Sequence, residues 1–129
     1  MLLISTQIFA AAGTEILINE MTSGNYTMKF NGRNCSLVLV HSIVGGSYSK
    51  YPREIYAELK KNGEQPIVAI AEVASSVVSA NKLVISQKKG MFGPKLEVIV
   101  NIDSYGRPVS AMAFEKSMSQ SRSIDCNLN

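Results

Sequence analysis

The chain has 129 residues, of which 46% are hydrophobic and 18% are charged. This composition excludes an intrinsically disordered chain, and the length predicts one folded domain with its own core. Thirteen basic and ten acidic residues give a formal net charge of +3, and without a long run of one sign this small excess excludes nucleic acid as an expected partner.

The amino-terminal residues 1–12 are mostly apolar and end in the run Ala10-Ala11-Ala12, which fits the cleavage site of a signal peptide. No Lys or Arg precedes Lys29, so the basic start of such a peptide is missing. We expect a truncated or atypical signal peptide over 1–12 and a single β domain over 13–129. A start codon further upstream and a buried amino-terminal strand or helix are the alternatives.

Apolar and polar side chains alternate in most of the following segments, as they do in strands that turn one face to a core. In 95–103, for example, Leu96 and Val98 share one face, while Glu97 and Asn101 point the other way. Eight strands are predicted, near residues 26–30, 34–44, 54–61, 66–74, 82–88, 95–103, 108–115 and 123–128.

The segment 52–62 fits two kinds of element. Pro52 in a first turn and Gly63 as a cap are typical of a helix, whereas the unbroken alternation indicates a strand. We favour the strand, because an Asn-Gly pair ends the segment and an apolar run follows at once. Asn-Gly pairs, here at 31–32 and 62–63, are typical of tight turns between antiparallel strands.

Strands that follow one another in short antiparallel steps predict an all-β fold. Closure of about eight such strands into a small up-and-down barrel removes the exposed sheet edges, so this barrel is the expected architecture. It is similar in outline to the barrel of lipocalins, although the chain contains no lipocalin motif. A two-sheet β-sandwich is the alternative.

The two cysteines, Cys35 and Cys126, each lie on the apolar register of a predicted strand, beside Leu37 and Ile124. We therefore expect a disulfide that ties the last strand to the first hairpin. With no C-x-x-C motif and one histidine, neither a metal site nor a cofactor is expected. A disulfide together with a signal-like start predicts an extracytoplasmic protein, either periplasmic or secreted.

No arrangement of residues suggests a catalytic site, and we expect the protein not to be an enzyme. His41 shares a face with Leu37 and Leu39, which favours a core histidine over a general base. Glu72 interrupts an apolar run, and a position facing water at a strand edge is favoured over a buried acid.

Two stretches are candidates for contact with a partner. In "SQKKGMFGPK", Met91 and Phe92 form an apolar point between Lys88, Lys89 and Lys95. Such a loop suits an acidic partner or, more weakly, an anionic membrane surface. Of the two interpretations, we favour a hairpin loop whose phenylalanine folds back to cover the end of the core.

The second stretch is "GGSYSKYPREIY". Its aromatic residues Tyr48, Tyr51 and Tyr56, together with Arg53, are of the types that dominate protein interfaces. A structured loop without a partner is the alternative.

We expect the protein to be a monomeric binding module that holds a small apolar or amphipathic ligand, because several predicted inward positions are alanines that leave room for a cavity. The alternative function is a protein-interaction or inhibitor domain that acts through its loops.

Overall fold

The computed structural model describes residues 12–23, 27–43 and 53–129. Most of the predicted signal peptide, residues 1–11, lies outside these ranges. In chain order the described elements are α1 (Ala12–Thr22), β1 (Thr27–Gly32), β2 (Cys35–Ile43), β3 (Arg53–Lys61), β4 (Ile67–Glu72), α2 (Val73–Ser76), β5 (Val77–Ser79), β6 (Lys82–Lys88), β7 (Lys95–Ile102), β8 (Pro108–Lys116) and β9 (Ser121–Asn127).

The strands form two antiparallel sheets, one of four strands in the order β1-β2-β3-β4 and one of five in the order β5-β6-β7-β8-β9. Strands that are consecutive in sequence are neighbours within each sheet, as the predicted meander requires. The predicted closed barrel is not found among the described strands, because the one-turn helix α2 interrupts pairing between β4 and β5. The all-β class is confirmed, and the two sheets fit the sandwich alternative.

Strand β4 crosses the end of the five-stranded sheet. One row of directly opposed residues runs across that sheet from Gln87 in β6 to Arg122 in β9. Arg122 donates hydrogen bonds to the carbonyl oxygens of Gln65 (2.8 Å) and Pro66 (3.1 Å), and the Gln87 side chain accepts one from the Ile70 amide (3.0 Å). The row spans three strand spacings, roughly 14 Å, so the segment from Gln65 to Ile70 extends across the strands of the five-stranded sheet.

The two sheets also meet where β1 and β9 end. Gly32 pairs with Leu128, and the predicted disulfide joins Cys35 to Cys126. Gly32 lies in β1 and not in the turn that its Asn-Gly pair predicts. A Cβ there would lie 2.2 Å from the carbonyl oxygen of Asn127 and 2.8 Å from Sγ of Cys35, so this contact between the sheets needs glycine.

Helix α1 is tied to the turn between β5 and β6 and packs into the core. The Thr14 amide donates a hydrogen bond to the carbonyl oxygen of Ala80 (2.7 Å), and its hydroxyl donates to that of Ser79 (2.8 Å). Leu17 and Met21, one helical turn apart and therefore on one face, are fully buried. This helix was not predicted within the β domain.

The core is one cluster that draws on both sheets and on α1. Of the five alanines that the sequence places in the interior, Ala71 is only partly buried and packs against this cluster, and the other four are buried: Ala57, Ala69, Ala111 and Ala113. They lie among larger side chains of the same cluster: Leu17, Met21, Leu37, Leu39, Ile55, Leu59, Ile67, Leu83, Ile85, Val98, Val100 and Ile124.

Three further expectations from the sequence, for one segment and two single residues, can be compared with the fold. Within the ambiguous segment 52–62, Arg53–Lys61 form a strand, β3. His41 faces the interior and is 4% exposed; burial lowers its pKa, and the positive charge of Arg53 lowers it further. Glu72 is exposed at the end of β4, as expected for an acid that faces water.

Candidate functional site

Three lysines form a row at one end of the five-stranded sheet. Lys88 lies directly opposite Lys95, and Lys95 lies directly opposite Lys116 in β8. All three are exposed, and neighbouring strands are only about 4.8 Å apart. Like charges in opposed positions destabilise a sheet, so this row has a cost that the packing of the sheet does not explain.

Met91 and Phe92 project from the turn that joins β6 to β7. Their side chains are 82% and 77% exposed, so the favoured interpretation, in which the phenylalanine covers the end of the core, is wrong. The turn closes without them: the Lys89 amide donates a hydrogen bond to the carbonyl oxygen of Pro94 (3.0 Å). Gly90 has φ +69°, a conformation that glycine adopts readily.

The neighbouring turn, between β8 and β9, adds two residues that were not singled out from the sequence, Lys116 and Met118. Met118 is 86% exposed at its tip. Ser117 and Gln120 close this turn: the Ser117 amide donates to the Gln120 carbonyl oxygen (2.8 Å), and the Gln120 amide donates to the Ser117 hydroxyl (3.1 Å). Each turn is therefore held by its own hydrogen bonds while its apolar residues point to water.

The two turns together form one basic and apolar surface. A depression of about 330 Å³ lies between them, and its lining contains no acidic residue. Glu115, next to Lys116 in sequence, forms an ion pair with Arg122 (2.7 Å). We call this surface the lysine end, defined by Lys88, Lys89, Met91, Phe92, Lys95, Lys116 and Met118.

The second predicted contact stretch lies partly in β3 and partly outside the described residues. Tyr48 and Tyr51 fall in the range 44–52, which the structure does not describe. Arg53 is exposed at the start of β3, and Tyr56 is half-buried on the same strand. The Tyr56 hydroxyl donates to Glu58 (2.7 Å); this hydrogen bond raises the pKa of Tyr56, and burial and the charge of Glu58 add to the shift. Because β3 belongs to the four-stranded sheet, these residues are not part of the lysine end.

Within residues 12–23, 27–43 and 53–129, no three His, Cys, Asp or Glu side chains are grouped so that they could hold a metal ion. Both cysteines are joined in the disulfide, so neither offers a thiolate. Over the same ranges, no helix is both long enough and apolar enough to cross a membrane.

The sequence contained a signal for the position of Lys116, which lies next to the turn between β8 and β9 in the lysine end. The predicted strands 95–103 and 108–115 follow each other closely in sequence, and a hydrogen bond from the Gly106 amide to the Asp103 carbonyl oxygen (3.1 Å) closes the turn between them. Extending that pairing to the far end of the strands places Lys116 opposite Lys95. The exposure of Met118 has no comparable signal, since apolar residues next to a strand end also fold inward.

The chain was compared with models of protein families, with curated proteins and with solved structures, and none of the three comparisons finds a match.

Proposed function

We propose that this protein is a disulfide-stabilised, extracytoplasmic binding module that docks onto a larger partner through its lysine end. The observation that carries the proposal is the position of three large apolar side chains, Met91, Phe92 and Met118, beyond a row of lysines. Contiguous exposed apolar residues on a soluble domain are typical of interaction surfaces.

The energetics of the lysine end support a role in binding. Opposed lysines repel each other, and exposed methionine and phenylalanine side chains gain nothing from the hydrophobic effect in the free protein. Both costs are relieved when an acidic, partly apolar partner covers the surface. The alternative from the sequence, a domain that acts through its loops, therefore has a specific feature in its favour.

An internal site for a small apolar ligand stays a prediction. The inward alanines that suggested a cavity are buried in the same cluster as the larger aliphatic side chains. Small residues at these positions allow the two sheets to approach each other closely as readily as they leave a space.

The extracytoplasmic location is part of the proposal and is supported by the cysteine pair. The two cysteines of the protein, Cys35 and Cys126, form one disulfide. Disulfides persist in oxidising compartments such as the periplasm or the extracellular space.

The proposal is tested by site-specific photocrosslinking in cells that make the protein. A photoreactive phenylalanine analogue is introduced at Phe92, at Met118 and, as the control, at Tyr105. Tyr105 is 83% exposed and lies in the turn between β7 and β8, at the opposite end of the same sheet. Adducts are expected from positions 92 and 118 and not from 105. Adducts in equal amount from all three positions, or from none, would contradict the proposal.

A further inference from the structure

We propose that the partner of the lysine end is an anionic lipid bilayer, onto which the protein binds reversibly with its five-stranded sheet standing on the membrane. This inference rests on the proposed docking function and names its partner. Its basis is the order of the groups along the sheet: lysines at the ends of the strands and apolar side chains at the tips of the turns beyond them.

That order matches the layers of a bilayer surface. The acyl boundary lies below the phosphate groups, so tips that enter it bring the strand ends to the level of the phosphates. Met91, Phe92 and Met118 occupy the tips, and the row from Lys88 to Lys116 lies one step behind them. Flexible lysine side chains place an apolar stem in the boundary and an ammonium group at the headgroups.

The kind of cation also favours lipid over protein. Protein interfaces are enriched in arginine, which makes fixed paired hydrogen bonds, and are depleted in lysine. The four cations of the lysine end are all lysines: Lys88, Lys89, Lys95 and Lys116. A fluid array of anionic headgroups offers no fixed geometry, and point charges suffice to bind it.

Charge complementarity is strong at this surface. In the described part of the chain none of these four lysines is in an ion pair; the ion pairs found there join Lys61 to Glu64 and Arg122 to Glu115. Each lysine near an anionic surface strengthens binding about fivefold, and a single apolar anchor without charge gives only weak adsorption. Binding is therefore expected to need both parts of the lysine end.

The experiment is co-sedimentation of the full chain with vesicles of phosphatidylcholine and phosphatidylglycerol, and with vesicles of phosphatidylcholine alone. The protein is expected to bind the anionic vesicles, to bind neutral ones at least tenfold more weakly, and to be released by salt. The double variant Phe92→Ala/Met118→Ala should lower the partition coefficient more than tenfold, and Lys95→Glu at least fivefold.

Matched controls come from the opposite end of the same sheet. Tyr105→Ala removes an equally exposed aromatic residue, and Lys82→Glu reverses an exposed lysine at the other end of β6. Both controls should bind anionic vesicles like the unchanged protein. Thermal unfolding of every variant checks that the fold is kept.

Two results would overturn the membrane inference: no binding of the unchanged protein to anionic vesicles, or equal losses in the controls and in the lysine-end variants. If vesicles do not bind while positions 92 and 118 crosslink to a protein, the membrane inference fails and the docking function stands. If vesicles do not bind and no selective crosslink forms, both fail.

Discussion

The two ends of the five-stranded sheet are built from strands of the same sheet, but among the described residues a helix covers only one of them. At one end, which we call the helix end, α1 covers the turns β5–β6 and β7–β8. The Ile102 amide donates to the Asn81 carbonyl oxygen (2.8 Å), and a Cβ on Gly106 would come within 2.5 Å of Ile16 in α1. At the lysine end the two turns have no such cover among the described residues, and their apolar tips are exposed.

The difference separates residues that stabilise the fold from residues that are free to bind. The side chains of Leu17 and Met21 in α1 enter the core at the helix end, so their burial stabilises the fold. Those of the lysine end contribute little to folding, and their hydrophobic and electrostatic free energy is available to a partner. Substitutions at the two ends should therefore change different measurements.

Removal of the disulfide is expected to have the largest effect on the free energy of unfolding. Cys126 is near the end of β9 that lies at the helix end, and its bond to Cys35 closes a loop with a sequence separation of 91. In the chain-entropy account, Cys35→Ala/Cys126→Ala lowers the free energy of unfolding by about 4.5 kcal/mol. Urea denaturation measures it, and reduction of the unchanged protein by a thiol should give a similar loss. A loss below about 1 kcal/mol would show that the bond is not what fixes β9.

The second prediction compares one apolar residue from each end. Leu17→Ala removes a fully buried side chain from α1 and should lower the free energy of unfolding by about 2 to 5 kcal/mol, from lost burial and the cavity left behind. Met118→Ala, at a side chain that is 86% exposed, should change it by less than about 0.5 kcal/mol. Similar losses in the two variants would mean that the lysine end is part of the folded core.

How much of the fold and of the lysine end could be predicted from the sequence depends on how far apart in the chain the interacting residues lie. The strands were found from their alternation, which depends only on neighbouring residues. Helix α1 was missed because its large buried apolar residues, Leu17 and Met21, share the segment with Ile16, which is exposed, and Ile18, which is half-buried. That mixture blurs the helical period.

The arrangement of the sheets depends on contacts far apart in sequence. Arg122 reaches Gln65 and Pro66, and Gln87 reaches Ile70. Neither of these contacts leaves a pattern in the local sequence. The sequence therefore did not distinguish closure of the strands into a barrel from their separation into two sheets. The disulfide was predictable because both cysteines lie on the apolar register of their strands. The loop with Met91 was predictable as a feature, but its exposure depends on how the turn closes.

The third prediction concerns the pH dependence of stability and depends on the buried histidine, His41. Burial and Arg53 lower the pKa of His41 in the folded protein, so the unfolded chain binds its proton more readily. Stability is then fully present above the ordinary histidine pKa of about 6.5 and is lost as the pH falls below it. Urea midpoints at a series of pH values should fall between pH 7 and pH 5. His41→Gln should flatten this fall, because the chain has no other histidine; an unchanged slope would assign the loss to carboxylates.

The smallest expected effect sharpens the comparison most, because it is a gain in stability. Lys95 lies between Lys88 and Lys116 in the row, and Lys95→Glu turns two repulsive pairs into attractive ones. The free energy of unfolding should rise by about 0.2 to 1 kcal/mol at low salt, and high salt should remove most of the gain. Lys82→Glu, opposite Asn101, serves as the control and should show no such gain. If the lysine row is retained for binding, the stabilised variant Lys95→Glu should bind anionic vesicles more weakly than the unchanged protein does. If Lys95→Glu leaves stability unchanged at low salt, the three lysines do not repel each other appreciably, and the cost that we assign to a binding role does not exist.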